Sequence, residues 1–418
     1  MLVERRETHK PLLGRFWLAG RDENSSRPGI ITLTPAGASI QLEGSLSESP
    51  ILQNVVLFGK LLPDDELVSL FNCFGSVRSR NGAPTDSEIE STLAIFGLLT
   101  TDLKSNGIEF RLPGSETWFH EQTFKVAFDE LGRDHITVTF QKNEEQHYQI
   151  SESLTLTRMY RSSFPIGNWG TEHFKATRAL VYQFRTKIAA DYDELMSFLV
   201  RFRRLLTFLS HVPFQQADIF LLAQGPSSFP VHQSSLFPIS IKKLEWDDQL
   251  IPYDEIKDRF EMIIAQWFKL YKEAPEPFER FFSALERGHS DTIRYFLWMI
   301  AAVEEVHKVK TKRKKAVLLE RLRDLCSRWS KAMEHPPSAE VLDKMVKSRN
   351  YFAHAAGDLR MAAARDWHLL RYSFFLAAIF CLEVLELLGW ADDDAISIAR
   401  SRYWIRESLA LRAFPDES

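Results

Sequence analysis

Residues 191–213 read DYDELMSFLVRFRRLLTFLSHVP, and here the spacing of apolar side chains changes from that of strands to that of helices. The apolar positions that recur at helical intervals before Pro213 are Leu195, Phe198, Leu199, Phe202, Leu205, Leu206 and Leu209. This spacing places an apolar stripe on one side of an α-helix. The stretch therefore marks the change from a strand-rich part of the chain to a helical part.

Upstream of this helix, apolar and polar residues alternate with a period of two. The alternation is clear in Ile136–Phe140 and in Leu154–Thr157. Residues 30–34 and 40–42 repeat it on either side of a Pro-Ala-Gly turn. Short alternating segments separated by turns predict an antiparallel β domain, such as a sandwich.

Downstream, the sequence predicts helices from Tyr253 onward, separated by proline and glycine residues that end them. The predicted helices span residues 253–272, 276–287, 290–309, 313–334, 337–356, 362–389 and 393–410. A segment rich in Gly, Pro and Ser precedes them at residues 224–230. We therefore expect an α+β multidomain protein. It would consist of a β-rich, sandwich-like domain over residues 1–225, a linker over 226–252 and an all-α bundle over 253–418.

The composition is that of an ordinary soluble globular protein, and the net charge of −4 argues against nonspecific coating of nucleic acid. Cys73, Cys326 and Cys381 lie too far apart to form a CxxC pair, which fits a reducing cytoplasm. The first residues carry charges where an export signal needs an apolar run, so we expect a cytoplasmic protein without a membrane span. The sequence contains no P-loop, dinucleotide-binding or HExxH motif, and we expect no cofactor and no metal site.

The segment Glu340–His354 contains the candidate active-site residues. Leu342, Met345 and Phe352 lie on one helical stripe, and Arg349 interrupts that stripe. A permanently charged guanidinium in an apolar seam needs a partner, or an opening to solvent or ligand. The spacing alone favours a structural role at the edge of the stripe or in a pair with a carboxylate, because buried charges are usually satisfied in this way.

Two relations within this segment bear on whether its polar residues can act together. Asn350 and His354 are four residues apart and share one helical face. Arg349 and His354 are five residues apart, which separates them by about 140° on an ideal helix. A single regular helix is therefore not expected to bring Arg349 and His354 together.

Residues 349–354, RNYFAH, resemble the R-x4-H motif of HEPN domains in the form Arg-Asn-x-x-x-His. Residues 297–307 resemble the first long HEPN helix. Residues 13–18, followed by 31–34 and 40–44, resemble the opening of the N-terminal domain of ApeA-type proteins. The resemblance implies a C-terminal HEPN ribonuclease domain and an N-terminal domain that senses an invader and controls the nuclease.

The resemblance also implies an activity, a metal-independent endoribonuclease that acts in antiphage abortive infection. Its substrate would be tRNA or another structured RNA, and its products would carry 2′,3′-cyclic phosphates. Arg349 would stabilise the phosphorane, and His354 would act as base or acid. Asn350 would orient His354 or hold a phosphate oxygen. A homodimer would bring two motifs into one cleft, and a phage-derived trigger would bind the N-terminal domain.

Two groups of cations are candidates for RNA contacts. Lys344 and Lys347 precede the motif on its helix, and a basic run between two predicted helices contributes Lys312, Arg313, Lys314 and Lys315. A solvated surface explains each group about as well. The alternative function is a noncatalytic HEPN-like dimerisation or sensing protein, in which Arg349 and His354 brace a helix interface.

Overall fold

The computed structural model describes residues 10–80, 83–120, 124–128, 136–140, 143–163, 177–225, 227–234, 249–288, 290–313, 315–354, 357–364 and 366–411. The chain divides into two compact units. The β unit comprises residues 1–113, 122–200 and 215–240, and the helical unit comprises residues 114–121, 201–214 and 241–418.

The β unit is built from antiparallel strands. These are β1 (Pro11–Leu18), β2 (Arg27–Thr34), β3 (Gly37–Glu43), β4 (Ile51–Leu61), β5 (Glu66–Arg80), β6 (Ala83–Ser91), β7 (Leu93–Phe96), β8 (Lys104–Arg111), β9 (Phe124–Phe128), β10 (Ile136–Phe140), β11 (Gln146–Ser151), β12 (Leu154–Ser163), β13 (Thr177–Asp191), β14 (Ala217–Leu222) and β15 (Ser228–Gln233). Strands β9 and β10 pair with each other, and the remaining thirteen form one sheet in the order β11-β12-β13-β8-β14-β15-β7-β5-β4-β1-β2-β3-β6.

Six of these strands close into a barrel, because β5 pairs with β6 as well as with β4. Gly75 permits this closure, since a side chain there would collide with the carbonyl oxygen of Glu88. Alternate residues point inward, and Phe16, Ile31 and Ile40 are fully buried in the barrel core. The expected antiparallel β-rich domain is confirmed, and its first part is a barrel closed on itself.

The strands that the sequence predicted are present. Ile31 of β2 lies opposite Ile40 of β3, on either side of the Pro-Ala-Gly turn. The expected linker over residues 226–252 is wrong at its start, where β15 pairs with β14 and β7. Apolar Phe229 and Val231 alternate with Pro230 and His232 in this strand, a pattern that the surrounding Gly, Pro and Ser obscured. Residues 235–248 of that range lie outside the described residues.

The helices of the chain are α1 (Ser115–Trp118), α2 (Tyr192–Ser210), α3 (Phe260–Glu273), α4 (Glu276–Arg287), α5 (Thr292–Thr311), α6 (Leu318–Arg328), α7 (Ala339–His354), α8 (Asp366–Leu387), α9 (Asp392–Ser401) and α10 (Tyr403–Leu409). The predicted all-α region is confirmed. The single helix predicted over residues 393–410 is two helices, α9 and α10, which meet at Arg402. The Arg402 guanidinium donates to the Leu250 carbonyl at 3.1 Å and pairs with Glu255 at 2.7 Å. The backbone of Arg402 is extended, with φ −90° and ψ 116°, and this ends the first helix.

The helical unit begins earlier in the chain than the predicted boundary at Tyr253, because two upstream segments pack within it. Trp118 and Phe119 are buried against Tyr253, with ring centroids 5.4 and 4.7 Å from it. The end of α2 joins the unit through Arg203, which pairs with Glu286 of α4 at 2.6 Å. These contacts explain why residues 114–121 and 201–214 belong to the helical unit.

Helix α8 forms the centre of the helical unit and contacts α5, α9 and α10. Its stretch Trp367–Leu387 is long and apolar enough to cross a membrane by length and composition. Sequence analysis missed this membrane-spanning length, because the uninterrupted apolar run within the helix, Phe374–Leu382, is shorter than a membrane span. The most apolar 18 residues of this helix are 78% buried inside the protein, as in the core helix of a folded unit.

Candidate active site

Helix α7 carries Arg349, Asn350 and His354 in its last two turns. Its first turn is capped by Ser338, whose hydroxyl accepts the amide of Val341 at 3.3 Å. Such a cap satisfies a backbone donor that has no partner within the helix. The helix therefore starts just after Pro336 and Pro337 and ends at the histidine of the motif.

The buried side of α7 fixes the helix in its unit. Leu342 and Met345 are 3% and 0% exposed, and the helix contacts α5 and α6. Ser348 continues this buried side, and its hydroxyl accepts the amide of Ala364 at 2.8 Å. The bond ties the segment after the motif back onto α7. Sequence analysis missed Ser348, because a serine within a helical stripe carries no signal of a distant backbone partner.

Arg349 and His354 meet at the end of α7. The distance from Arg349 Nη1 to His354 Nε2 is 2.9 Å, and the same nitrogen lies 3.1 Å from Asn350 Oδ1. The expectation that one helix keeps Arg349 and His354 apart is therefore wrong. The angle of about 140° holds for Cα positions on an ideal helix, whereas the long arginine side chain reaches across it.

The partners of Arg349 distinguish it from the structural arginines of this unit. Arg203 and Arg402 each pair with a carboxylate, at 2.6 and 2.7 Å. Arg349 has no carboxylate within 4.0 Å among the residues that the structure describes, and its two side-chain partners are neutral acceptors. The side chain is half-buried, at the edge of the apolar stripe, and His354 is exposed. Within the described part of the chain, the guanidinium thus lies beside an accessible imidazole without a carboxylate partner.

The contact between Arg349 and His354 also indicates which group donates. A guanidinium can only donate, so Nε2 of His354 is the acceptor and carries a lone pair. Such a nitrogen can take a proton from a hydroxyl group once the arginine donors turn to an anion. The arrangement can therefore bind a phosphate and accept a proton within one short stretch of chain.

The two candidate lysines of α7 differ in their surroundings. Lys347 forms an ion pair with Asp343 one turn earlier, at 2.7 Å. Lys344 is exposed and has no ion pair within the described part of the chain. Its carbonyl accepts the Ser348 hydroxyl, which places it one turn before the site. Lys344 is therefore the more available of the two for a phosphate.

The basic run between α5 and α6 is neutralised only in part. Arg313 binds Asp324 at 2.8 Å. Lys310, in the last turn of α5 before the run, binds Glu383 at 3.1 Å and also Glu386. Lys312 and Lys315 are exposed. Lys314 lies outside the described residues. The interpretation of this run as one positive surface is thus too simple, because acidic residues of α6 and α8 pair with part of it.

The described ranges contain no group of three or more His, Cys, Asp or Glu residues arranged to hold a metal ion. The three cysteines are buried and unpaired, and burial raises the pKa of the Cys326 thiol to about 12. These thiols therefore stay protonated and unreactive at neutral pH.

Two family models match successive parts of the chain and overlap at residues 264–267. The first is ApeA N-terminal domain 1, which matches residues 11–267, more than half of the chain. The second is Apea-like HEPN, which matches residues 264–394 and includes the whole of α7. No curated protein and no solved structure matched the chain. The chain belongs to the ApeA family, in which an ApeA N-terminal domain precedes an Apea-like HEPN domain.

Proposed function

We propose that the protein is a metal-independent endoribonuclease, with Arg349, Asn350 and His354 as its active site. The observation that carries the proposal is the 2.9 Å contact between the guanidinium and the exposed imidazole, without a carboxylate partner in the described part of the chain. HEPN domains are typically ribonucleases, and an ApeA-like HEPN domain fits an antiphage defence effector.

The residues of α7 suit cleavage by the ribose 2′-hydroxyl of the substrate itself. His354 Nε2 takes the proton of that hydroxyl as its oxygen forms a bond to the adjacent phosphorus. Arg349 donates to the nonbridging oxygens and stabilises the extra negative charge of the phosphorane. The bond from phosphorus to the 5′-oxygen then breaks, and that oxygen takes a proton from an acid. The products are a 2′,3′-cyclic phosphate and a 5′-hydroxyl.

The acid in this scheme calls for a second copy of the chain. One His354 cannot be base and acid in the same step, whereas a two-fold interface supplies two imidazoles to one cleft. Arg349 and His354 already meet within one chain, so the homodimer rests on this requirement of the chemistry. Mixing wild-type protein with an excess of His354→Ala chains should suppress cleavage. Activity that follows only the amount of wild-type chain would contradict the shared cleft.

The β unit offers a place for a phage-derived trigger. A groove of about 590 Å³ runs over β1, β2, β3 and β6, within the usual size of ligand sites. Leu13 and Ile30 line it with 60% and 37% of their surfaces exposed. In our proposal a trigger binds this groove and activates the nuclease in the cytoplasm of the infected cell. Ile30→Glu should then abolish protection against phage while the purified protein keeps its fold.

Incubation of the purified protein with total RNA and with tRNA tests the activity. Wild-type protein should fragment the RNA, and His354→Ala should not. His335→Ala is the matched control, because that imidazole is 69% exposed and lies before α7. A folded His354→Ala protein with full activity would end the assignment. A dimer in which wild type and variant are equally inert on every RNA would favour the noncatalytic alternative.

A further inference from the structure

The groove on the outer surface of the barrel is apolar at one end. Leu13 of β1 lies opposite Ile30 of β2, and both side chains line the groove. Leu62, just after β4, continues this row, because its amide donates to the Leu13 carbonyl at 2.9 Å. All three side chains are exposed. Single exposed apolar residues are common on protein surfaces, whereas adjacent ones in a concave surface are typical of binding sites.

The other end of the groove is acidic. Glu43 of β3 lies directly opposite Asp86 of β6, and both residues are exposed and line the groove. Like charges that face each other on neighbouring strands destabilise a sheet. Neither carboxylate has an ion pair within 4.0 Å in the part of the chain that the structure describes. A cation placed between the two carboxylates would relieve their repulsion.

The arginines that line the groove do not balance its carboxylates. Arg78 of β5 binds Glu88 of β6 at 2.7 Å. Arg15 lies at the other end, on β1, and its Nε donates to the hydroxyl of Ser26 at 3.0 Å. The lining has two arginines against three carboxylates, so its net charge is −1 and the excess negative charge lies on β3 and β6. The groove therefore disfavours a nucleotide or another polyanion and favours a ligand with a positive charge.

The spacing of the apolar and acidic ends fits an extended protein segment. Gln41 of β3 lies opposite Ile30, and Glu43 follows Gln41 by two residues. With strands about 4.8 Å apart and about 3.4 Å per residue, the Cα atoms of Ile30 and Glu43 are about 8 Å apart. Side chains two residues apart in an extended peptide point to the same side, about 7 Å from each other. A lysine or arginine two residues from an apolar residue therefore reaches the carboxylates.

We infer that the groove binds an extended segment of a protein in which a lysine or arginine lies two residues from an apolar residue. The apolar side chain packs on Leu13, Ile30 and Leu62, and the cation lies between Glu43 and Asp86. The inference rests on the proposed role of the groove as the trigger site and adds the chemical class of the trigger, a basic protein segment.

Selection of ribosome-displayed random peptides on the full-length protein tests this class. Peptides that bind wild-type protein but not Ile30→Glu should be enriched in a lysine or arginine two residues from an apolar residue. Ile51→Glu is the matched control, because Ile51 is an exposed isoleucine of β4 outside the groove, and it should retain these peptides. Selected peptides without this basic pattern, or none that Ile30→Glu releases, would overturn the inference.

Charge reversal in the groove locates the cation. Asp86→Lys should raise the Kd of a labelled selected peptide, measured by fluorescence anisotropy, by roughly fivefold or more. Replacing the basic residue of the peptide by glutamate should restore binding to Asp86→Lys while weakening binding to wild type. Glu90→Lys is the control, because Glu90 is an exposed residue of the same strand outside the groove, and Kd should change less than roughly twofold. Equal weakening by the two lysine variants would overturn the cation site.

These measurements contain no RNA, so their outcome is independent of the ribonuclease assay. If Ile30→Glu abolishes protection against phage but no basic peptide binds the groove, the trigger site stands and the inferred class is wrong. If basic peptides bind the groove and Ile30→Glu still protects, the inferred class stands and the role in triggering is wrong. Light scattering that shows self-association lost in Ile30→Glu would assign the groove to a second copy of the chain and overturn the inference.

Discussion

Ser348→Ala should destabilise the helical unit by about 1–3 kcal/mol. The hydroxyl of this fully buried serine accepts the amide of Ala364 at 2.8 Å and donates to the carbonyl of Lys344 at 2.6 Å. Alanine leaves the amide of Ala364, a residue 2% exposed, without an acceptor, and that loss accounts for the estimate. The Lys344 carbonyl keeps its ordinary helical bond, so it adds little.

Ser373→Ala is the control for this prediction. Ser373 of α8 is equally buried, and its hydroxyl donates to the Leu369 carbonyl at 2.7 Å. It has the same bond to the preceding turn as Ser348 but accepts no amide among the described residues. Since alanine favours a helix more than serine does, Ser373→Ala should change stability by less than about 1 kcal/mol.

Urea unfolding followed by circular dichroism measures both variants, and thermal scans give an independent value. Each kcal/mol corresponds to about 2–4 °C in Tm for a unit of this size. Ser348→Ala should also slow cleavage by roughly tenfold or more while folded, because it loosens the segment beside Arg349. Equal loss of stability in the two serine variants would refute the reasoning, since the bond to Ala364 would then contribute nothing.

Three further outcomes are expected. Glu383→Ala should lower the free energy of unfolding in urea by about 3–5 kcal/mol, because Glu383 is 1% exposed and binds Lys310 and the Trp329 indole. Glu386→Ala should lower it by about 1 kcal/mol or less. Burial, and then the charge of a neighbouring arginine, lower the pKa of His307 below 6.5. As the pH falls, the unfolded chain therefore binds the proton before the folded chain does. The free energy of unfolding should accordingly fall as the pH drops below about 6.5. A pH dependence that His307→Gln leaves unchanged would contradict this. RNA cleavage should persist in excess EDTA and leave 2′,3′-cyclic phosphates, and strict Mg²⁺ dependence with 5′-phosphate ends would indicate another mechanism.

The division into strands and helices was predictable because apolar spacing reflects which face of an element is buried. The closure of the barrel was not, since the pairing of β5 with β6 depends on contacts that leave no local pattern. The break at Arg402 was missed for the same reason. Its partner Leu250 lies 152 residues earlier in the sequence.

The resemblance to the R-x4-H motif singled out Arg349 and His354 as candidates, and their catalytic role stays a prediction. Their geometry was not predictable, because helix angles ignore the reach of a long side chain, and the contact at 2.9 Å was not expected. The charge of the basic run was read from composition alone. The ion pair of Arg313 with Asp324 depends on tertiary packing, which composition does not record.

The central claim is that Arg349 and His354 act as one catalytic unit, and single-turnover cleavage of RNA by both single variants and their double variant tests it most directly. Each alanine variant, shown to be folded by circular dichroism, should lose about a hundredfold or more in rate. When two groups act as a unit, the rate losses caused by replacing each of them are not additive. The double variant should therefore be no slower than the slower single variant. A folded single variant with the wild-type rate, or losses that multiply in the double variant, would contradict the account.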